Sequence, residues 1–340
     1  MDKISIIIPA RNEEKYLEKC LLSILKGTES GLETEIFVVD GKSSDRTVQI
    51  VEQISESSPN LYLITNEKKT TPHAINLGIK KSSGDYLFII SAHAEYPADY
   101  FVKLLNWAKK LQAQVVGGVL ETKTLDHSSK AKAIQFVLSN KWGVGNALFR
   151  TGVKKVCEVD TVAFGCYHKS VFEKFGFFNP ELTRNQDIEF NLRIKKGGGK
   201  IYLVPDVKAT YYARNNFYAL AKNNFKNGLW NILTLYYTRN FKALSLRHFV
   251  PMVFVLSILL PILLSVFYSP LILFSFFIFF VYLGFIFFVS LRSKPKTVNL
   301  FSILASFLIL HFSYGLGSVS GIIKTIILFF RKQKNDPSDN

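Results

Sequence analysis

Acidic residues are almost absent from the second part of this 340-residue chain. Residues 190–340 contain three acids, Asp206, Asp336 and Asp339, beside 18 Lys and Arg, so they carry a net charge of +15. Residues 1–189 are nearly neutral at +1. The basic residues flank long apolar runs, whereas a nucleic-acid-binding protein usually carries positive charge on a soluble folded face. The charge therefore favours a membrane protein that contacts lipids and has no nucleic-acid partner.

Cysteine and glycine-rich phosphate motifs are also scarce. The three cysteines, Cys20, Cys157 and Cys166, form no C-x-x-C pair, which argues against a disulfide framework or a zinc site. Reduced thiols fit a cytosolic catalytic part. No G-x-G-x-x-G follows the first apolar run and no G-x-x-x-x-G-K-[ST] exists, so dinucleotide oxidoreduction and P-loop hydrolysis lose their main support. The apolar run at residues 4–8 is too short for a signal peptide.

Short apolar runs alternate with amphipathic segments over residues 1–120. The pattern predicts strands at residues 4–8, 35–39, 61–64, 86–90 and 115–120, and helices at 14–25, 45–55, 72–81 and 97–111. This alternation indicates an α/β fold with an open, mostly parallel sheet and helices on both faces. Ligands bind such sheets beyond the carboxyl ends of the strands, so the polar groups there are the first candidates for a site.

Basic, aromatic and then apolar segments follow residue 213. Residues 214–248 mix basic and aromatic side chains, which is typical of helices in a membrane interface; an RNA-binding face is the alternative. Three apolar segments at about 249–267, 271–291 and 298–323 are long enough to cross a bilayer, and residues 268–270 form a turn. We therefore predict a domain at 1–213, interfacial helices at 214–248, a transmembrane region at 249–330 and a polar tail at 331–340.

The third apolar segment leaves two topologies open. The positive-inside rule places Arg247 and Arg292 in the cytoplasm. A simple third crossing would then send the basic end of the chain, beginning at Arg331, outside against that rule. A break at residues 311–317 would instead give a re-entrant pair and return the tail inside.

Seven short motifs resemble those of inverting family 2 glycosyltransferases, which have a GT-A fold. The motifs are SIIIPARNEE (5–14), VVDGKSSDRT (38–47), TPHAINLGI (71–79), SGDY (83–86), GVGN (143–146), VDTVAFG (159–165) and RNQDIEF (184–190). The last three, with the C-terminal apolar segments, are similar to the membrane-bound succinoglycan-type branch. The resemblance covers nearly the whole chain, and the order and spacing of the motifs make it specific.

The resemblance implies a nucleotide-sugar donor and its binding residues. The donor residues would be Pro9, Ala10, Arg11, Glu13, Asp40, Asn76, Ser91 and Ala92. The Asp40 carboxylate would accept the imide hydrogen of a uracil, which favours a UDP-sugar. The alternative for Asp40 is a polar turn, and the alternative for Asp45 is a cap on the next helix.

The family's D-x-D metal motif reads Ser91-Ala92-His93 here, so its first carboxylate is missing. By resemblance His93 touches the metal and Glu95 joins it, because alternate residues of an extended backbone point the same way. An imidazole ligand favours Mn²⁺ or another transition metal over Mg²⁺. The alternative is a solvated loop with a weakened or metal-free site.

Inverting transfer requires one general base to deprotonate the acceptor hydroxyl. Asp187 matches the family's base; the alternative is an N-terminal helix cap. The reserve candidates are Glu189 and Asp160. With Gly165, Gln186 and Trp230 they make up the expected acceptor side, although Trp230 fits an aromatic membrane anchor better.

The expected activity is inverting transfer of a hexose from a UDP-sugar to a lipid-linked saccharide, such as a polyprenyl-diphosphate oligosaccharide. The enzyme would be a multi-pass protein of the plasma (inner) membrane with a cytoplasmic catalytic domain and a divalent metal, Mn²⁺ or Mg²⁺. One alternative is a polyprenyl-monophosphate glycosyltransferase. The other, motivated by Ser91, is a non-catalytic membrane scaffold with a degenerate site.

Overall fold

The computed structural model describes residues 2–28, 32–240, 244–295 and 297–334. Residues 335–340, the greater part of the predicted polar tail, lie outside the described residues. The chain divides into two compact units. The sheet unit comprises Met1–Lys123 and Ala147–Tyr212, and the helical unit comprises Thr124–Asn146 and Ala213–Asn340. The sheet unit ends at Tyr212, one residue before the end of the first domain given by the sequence, and residues 124–146, assigned there to that domain, cluster with the helical unit.

The elements follow one another in chain order with strands first and long helices last. They are β1 (Lys3–Ala10), α1 (Leu17–Thr28), β2 (Glu33–Asp40), α2 (Thr47–Ser55), β3 (Leu61–Thr65), α3 (Thr71–Lys81), β4 (Tyr86–Ile89), β5 (Ala94–Glu95), α4 (Tyr100–Leu111), β6 (Val115–Lys123), α5 (Ser129–Leu138), α6 (Lys141–Val144), α7 (Leu148–Thr151), β7 (Cys157–Glu158), β8 (Cys166–His168), α8 (Ser170–Phe175), α9 (Gln186–Lys196), β9 (Ile201–Tyr212), α10 (Phe217–Thr238), α11 (Val250–Leu264), α12 (Leu271–Ser293) and α13 (Leu300–Lys334). All five predicted strands and all four predicted helices are present.

The strands form one mixed sheet in the order β3-β2-β1-β4-β8-β6-β9-β5, with β7 paired to β9. β1 runs parallel to β2 and β4, and β2 runs parallel to β3. β6 runs parallel to β9. The short strand β8 is antiparallel to both β4 and β6 and joins the two parallel groups. The predicted mostly parallel α/β sheet is confirmed.

Both faces of the sheet are buried, as the continuous apolar strands require. Ile4, Ile6 and Ile8 pack in one cluster with α1, α2 and α4. Ile7, which points the other way, packs in a second cluster with α3, α8 and α9. Each fully buried side chain of this size contributes about 1.5–3 kcal/mol. This packing holds the carboxyl ends of β1, β2 and β4 in a fixed relation, and the polar residues that follow them are positioned by it.

The helical unit contains three helices that are long and apolar enough to cross a membrane, Leu246–Leu264, Leu271–Ser293 and Leu300–Arg331. α11 and α12 form the predicted hairpin, and the Ser275 hydroxyl donates a hydrogen bond of 2.8 Å to the Ile258 carbonyl. α13 is one unbroken helix through His311 and Gly317. The re-entrant topology requires a break at residues 311–317. That prediction is wrong, because the backbone hydrogen bonds of α13 continue through the glycines.

α10 packs lengthwise against α13 through small residues. A Cβ placed on Gly228 would collide with the Tyr314 carbonyl, and one on Gly317 would collide with the Phe225 carbonyl. The buried Asn231 amide donates to the Tyr314 hydroxyl and to the His248 carbonyl. The segment predicted as interfacial thus contains a 22-residue helix with one side buried by α13.

Candidate active site

A cavity of about 390 Å³ opens beyond the carboxyl ends of β1, β2 and β4 in the sheet unit. This is where an open α/β sheet binds its ligands. Its lining combines polar loop residues with an apolar wall. The lining residues are Pro9, Ala10, Arg11, Glu13, Gly41, Asn66, Lys69, Thr70, Thr71, Ala74, Ile75, Ile89, Ile90, Ser91, His93, Val162, Ala163, Phe164, Tyr167, Phe178, Gln186 and Asp187. Eight of the predicted site residues therefore share one cavity, Pro9, Ala10, Arg11, Glu13, Ser91, His93, Gln186 and Asp187.

The loop after β1 is fixed by the loop after β2. Asn12 adopts a left-handed backbone with φ of 58°, its side-chain oxygen accepts from the Ser44 amide at 2.8 Å, and its own amide donates to Ser43 Oγ at 2.8 Å. The Arg11 guanidinium donates to the Lys69 carbonyl at 3.4 Å. These bonds, with the one from the Glu13 amide to Thr47 Oγ1 at 2.8 Å, hold Arg11 and Glu13 on the cavity surface.

Asp40 lies just behind the cavity rather than on its lining. It is 4% exposed, and its carboxylate accepts hydrogen bonds from the Ser43 amide at 3.0 Å and from the Ser43 hydroxyl. The next residue, Gly41, lines the cavity. Asp45 accepts from the backbone amide of Thr47, the first residue of α2, at 3.0 Å and from that of Glu14, in the loop after β1, at 3.1 Å.

The residues after β4 place a histidine beside a carboxylate. His93 Nδ1 lies 3.2 Å from Glu13 Oε1, and its ring makes edge contacts with Tyr16 and Tyr211. Because Nδ1 is engaged, Nε2 is the ring nitrogen left to meet a metal or a ligand. Ala92 is buried in the core and does not reach the cavity.

Glu95 takes a different partner from the one predicted. Its carboxylate accepts a hydrogen bond of 2.8 Å from the Tyr212 hydroxyl, and it is not among the cavity residues. Burial, with a further contribution from Glu95, raises the pKa of Tyr212 to about 12, so the hydroxyl stays a donor. In the described part of the chain no three His, Cys, Asp or Glu side chains converge on a common metal position. His93 therefore pairs with Glu13 and not with Glu95.

Asp187 stands in the first turn of α9 and faces the cavity. The turn is preceded by Asn185 in the left-handed region, with φ of 59°. Burial raises the pKa of Asp187, although backbone amides at the helix start donate to its carboxylate. Next to it, Gln186 Oε1 is shielded from solvent and has no hydrogen-bond donor. A raised carboxylate pKa and an unused acceptor at one cavity wall are features of a reactive site.

The other predicted residues lie around the cavity or away from it. Glu189 pairs with Arg193 at 2.7 Å, and Asp160 is exposed on the surface. Asn76 forms hydrogen bonds of 2.8 and 3.0 Å with the backbone of Phe178, which lines the cavity. The Gly165 carbonyl accepts from the Ile89 amide at 3.1 Å. Trp230 belongs to the helical unit, where it stacks on Tyr237.

Two parts of the cavity lining were not predicted from the sequence. They are the residues that follow β3 and Phe164. Asn66, 3% exposed, donates to the Thr70 carbonyl at 2.9 Å and shapes the loop that carries Lys69. These residues follow a predicted strand, so the same rule that selected the loops after β1 and β2 could have found them. Phe164 has φ of 52°, rare for an aromatic residue. Such backbone strain clusters at functional sites.

The strand order and the carboxylate beside a cavity at the strand ends define an α/β transferase domain of GT-A type. The model of the family described as Glycosyl transferase family 2 matches residues 5–176. The chain belongs to this family and is a glycosyltransferase. The alternative of a non-catalytic scaffold thereby loses its support.

Two relatives and one solved structure illustrate the similarity. The Methanococcus voltae dolichyl N-acetyl-alpha-D-glucosaminyl phosphate 3-beta-D-2,3-diacetamido-2,3-dideoxy-beta-D-glucuronosyltransferase is 32% identical over 255 residues, 69% of this chain and 78% of that protein. The Rhizobium meliloti succinoglycan biosynthesis protein ExoA is 28% identical over 215 residues, 62% of this chain and 63% of that protein. The crystal structure of S. aureus TarS in complex with UDP superposes with a TM-score of 0.52 at 16% identity, over 95% of this chain and 92% of that chain.

Proposed function

We propose that this glycosyltransferase transfers a hexose, with inversion, from a UDP-sugar to a lipid-linked saccharide. The observation that carries the proposal is the single cavity that brings Asp187 together with the Glu13–His93 pair beyond the strand ends. The M. voltae relative is named for a dolichyl-phosphate-linked sugar, and the TarS structure contains UDP. Both fit a donor and an acceptor that carry phosphate.

Asp187 is the proposed general base. The carboxylate takes the proton of the acceptor hydroxyl while the hydroxyl oxygen attacks the anomeric carbon and the bond to the UDP oxygen breaks. Burial raises its pKa, which strengthens the ionised form as a proton acceptor. Gln186 Oε1, buried without a donor, is placed to accept a hydrogen bond from a sugar hydroxyl. Because attack is direct, no enzyme nucleophile is needed.

The leaving UDP carries negative charge that must be stabilised. His93 would hold a divalent metal through Nε2, and Glu13 would orient the ring through Nδ1. A metal held there would act as a Lewis acid on the leaving group. An imidazole ligand suits Mn²⁺, and Ser91 supplies at most a hydroxyl where the usual motif has a carboxylate. Arg11, on the same surface, adds positive charge for the donor.

In this proposal the lipid-linked acceptor resides in the same membrane as the enzyme. Three helices suited to crossing a bilayer lie in the same chain as the cavity, so a lipid-linked acceptor can be used where it resides. The proposed location is the plasma (inner) membrane, with the sheet unit in the cytoplasm, where nucleotide sugars are made. The basic residues Arg247 and Arg292 would then lie on the cytoplasmic side.

A donor and acceptor panel tests the function. Purified full-length protein is incubated with UDP-, GDP- and TDP-sugars and with a membrane lipid extract, a polyprenyl-diphosphate saccharide or a polyprenyl monophosphate. We expect transfer from a UDP-sugar to the diphosphate saccharide, and activity that EDTA removes and Mn²⁺ restores. Transfer to the monophosphate alone would support the polyprenyl-monophosphate enzyme instead. No transfer from any UDP-sugar would refute the donor.

The proposed orientation of the protein in the membrane can be tested by cysteine labelling. A cysteine at Ser269, in the exposed turn between α11 and α12, should react with a membrane-impermeant thiol reagent added outside intact cells. The background and control is the Cys157→Ser protein, because Cys157 is half-exposed whereas Cys20 and Cys166 are buried. Labelling at Ser269 only after the cells are opened would reverse the proposed orientation.

A further inference from the structure

Two hydrogen-bond donors without an acceptor flank one tyrosine of the sheet unit, outside the residues that line the cavity. Arg150 Nη1 and Thr122 Oγ1 are both shielded from solvent, and neither has a hydrogen-bond partner. Thr122 is 6% exposed. Leaving a buried donor unsatisfied costs about 1–3 kcal/mol, and more for a charged group. Two such donors around one residue indicate that an acceptor from outside the chain completes them.

Tyr211 joins these donors to the active site. The Arg150 guanidinium carbon lies 4.8 Å from the centre of the Tyr211 ring and 5.7 Å from that of Phe149. Thr122 is the register partner of Tyr211 in the parallel pair β6–β9, so both side chains leave the same face of the sheet. The other edge of Tyr211 meets His93, with ring centres 5.3 Å apart. The Tyr211 ring therefore contacts both Arg150 and His93, the proposed metal ligand.

The charges around Arg150 favour an anion. Within the described ranges no carboxylate forms a salt bridge with it. The acid nearest in sequence to Thr122 is Glu121, which pairs with Lys208 at 3.1 Å and points to the opposite face of β6. The cation–π contacts with Tyr211 and Phe149 hold the guanidinium carbon near the two rings and do not use its N–H donors. A planar donor fork with a hydroxyl nearby matches the oxygens of a phosphate.

We propose that Arg150 and Thr122 bind phosphate oxygens of a substrate, a role that rests on the proposed use of phosphate-bearing substrates. The phosphate has two possible sources, the diphosphate of the donor and the phosphate next to the lipid of the acceptor. Either one would lie next to Tyr211, whose ring contacts His93 at the cavity. The usual motif has a carboxylate at the position of Ser91, which helps a metal to neutralise the phosphate charge. The charge of Arg150 would supply part of that neutralisation here.

Direct binding to the detergent-solubilised full-length protein tests the proposal. The two probes are UDP and a polyprenyl phosphate in micelles, each titrated by calorimetry. The variants are Arg150→Met, which keeps the contact with Tyr211, Arg150→Lys, which keeps the charge, and Thr122→Val, which keeps the shape. Lys154→Met is the matched control, because Lys154 is an exposed cation a few residues away. Thermal melting confirms that each variant is folded.

We expect Arg150→Met to raise the Kd of one probe about tenfold to hundredfold, the loss typical of a charged hydrogen bond. Arg150→Lys should recover part of it, and Thr122→Val should raise the same Kd severalfold. A change for UDP assigns the donor phosphate, and a change for the polyprenyl phosphate assigns the acceptor phosphate. Unchanged binding of both probes, or an equal loss in Lys154→Met, overturns the proposal. Because binding is read without sugar transfer, failure of the proposed activity remains distinguishable from failure of this site.

Discussion

Replacement of Asp187 by asparagine separates catalysis from stability. The change removes the proposed base and keeps the shape of the side chain. General-base catalysis contributes about 10²–10⁴-fold to rate, so kcat should fall by that factor, or about 2.7–5.5 kcal/mol in activation free energy. Burial raises the pKa of Asp187 above its usual range, and within the described residues no cation forms a salt bridge with it. The charge is thus unfavourable in the folded state at neutral pH, and the variant should melt no lower than the wild type.

The pH dependence follows with a definite sign. The base works only when ionised, so wild-type kcat/KM should fall as the pH drops through the pKa of Asp187, which burial raises. The assay is single-turnover transfer of a radiolabelled sugar between pH 4 and 8. Asp206→Asn is the matched control, because Asp206 is an exposed acid outside the cavity. Turnover within about tenfold of wild type in a folded Asp187→Asn protein would refute the assignment.

Two further predictions concern the metal and the helical unit. Glu13→Gln should raise the Mn²⁺ concentration needed for half-maximal activity about 10–100-fold, as loss of a partner to a metal-bound histidine typically does, and His93→Ala should raise it further; unchanged titrations of both variants would remove the pair from the metal site. Gly228→Ala should destabilise the helical unit by about 1–3 kcal/mol, because its Cβ would meet the Tyr314 carbonyl. Gly284→Ala is the control, since a Cβ there meets nothing within 4 Å; equal melting temperatures for the two variants would contradict the packing.

The first half of the sheet could be predicted because each strand is a continuous apolar run followed by a polar loop. β9 escaped prediction because Pro205 and Asp206 interrupt its apolar pattern, and the pairing with β6 shifts register at the same level. β5, β7 and β8 are two or three residues long, too short to leave a periodic signal. The assignment of residues 124–146 to the helical unit depends on tertiary packing, which no local pattern encodes.

In the candidate site, too, residues adjacent in sequence could be predicted, whereas contacts between residues far apart in sequence could not. Asp187 and the loop after β1 were found from motifs whose residues are adjacent in sequence. The Glu13–His93 pair joins residues 80 positions apart, and the hydrogen bond that engages Glu95 spans 117 positions. Alternation along an extended segment predicts that His93 and Glu95 point the same way, but it cannot say which partner each side chain will meet.

The close approach of α10 to α13 sets an order of assembly. During synthesis α10 emerges before α11 and α12, yet α13, which covers the buried asparagine and glycine residues of α10, is made last. The hydrogen bond from the Ser318 hydroxyl to the Gly228 carbonyl closes a loop of 90 residues. Until α13 has left the ribosome, Asn224 and Asn231 must stay in contact with water or with an insertion factor. Truncation before α13 should therefore release a chain that quality control recognises, even though its sheet unit is complete.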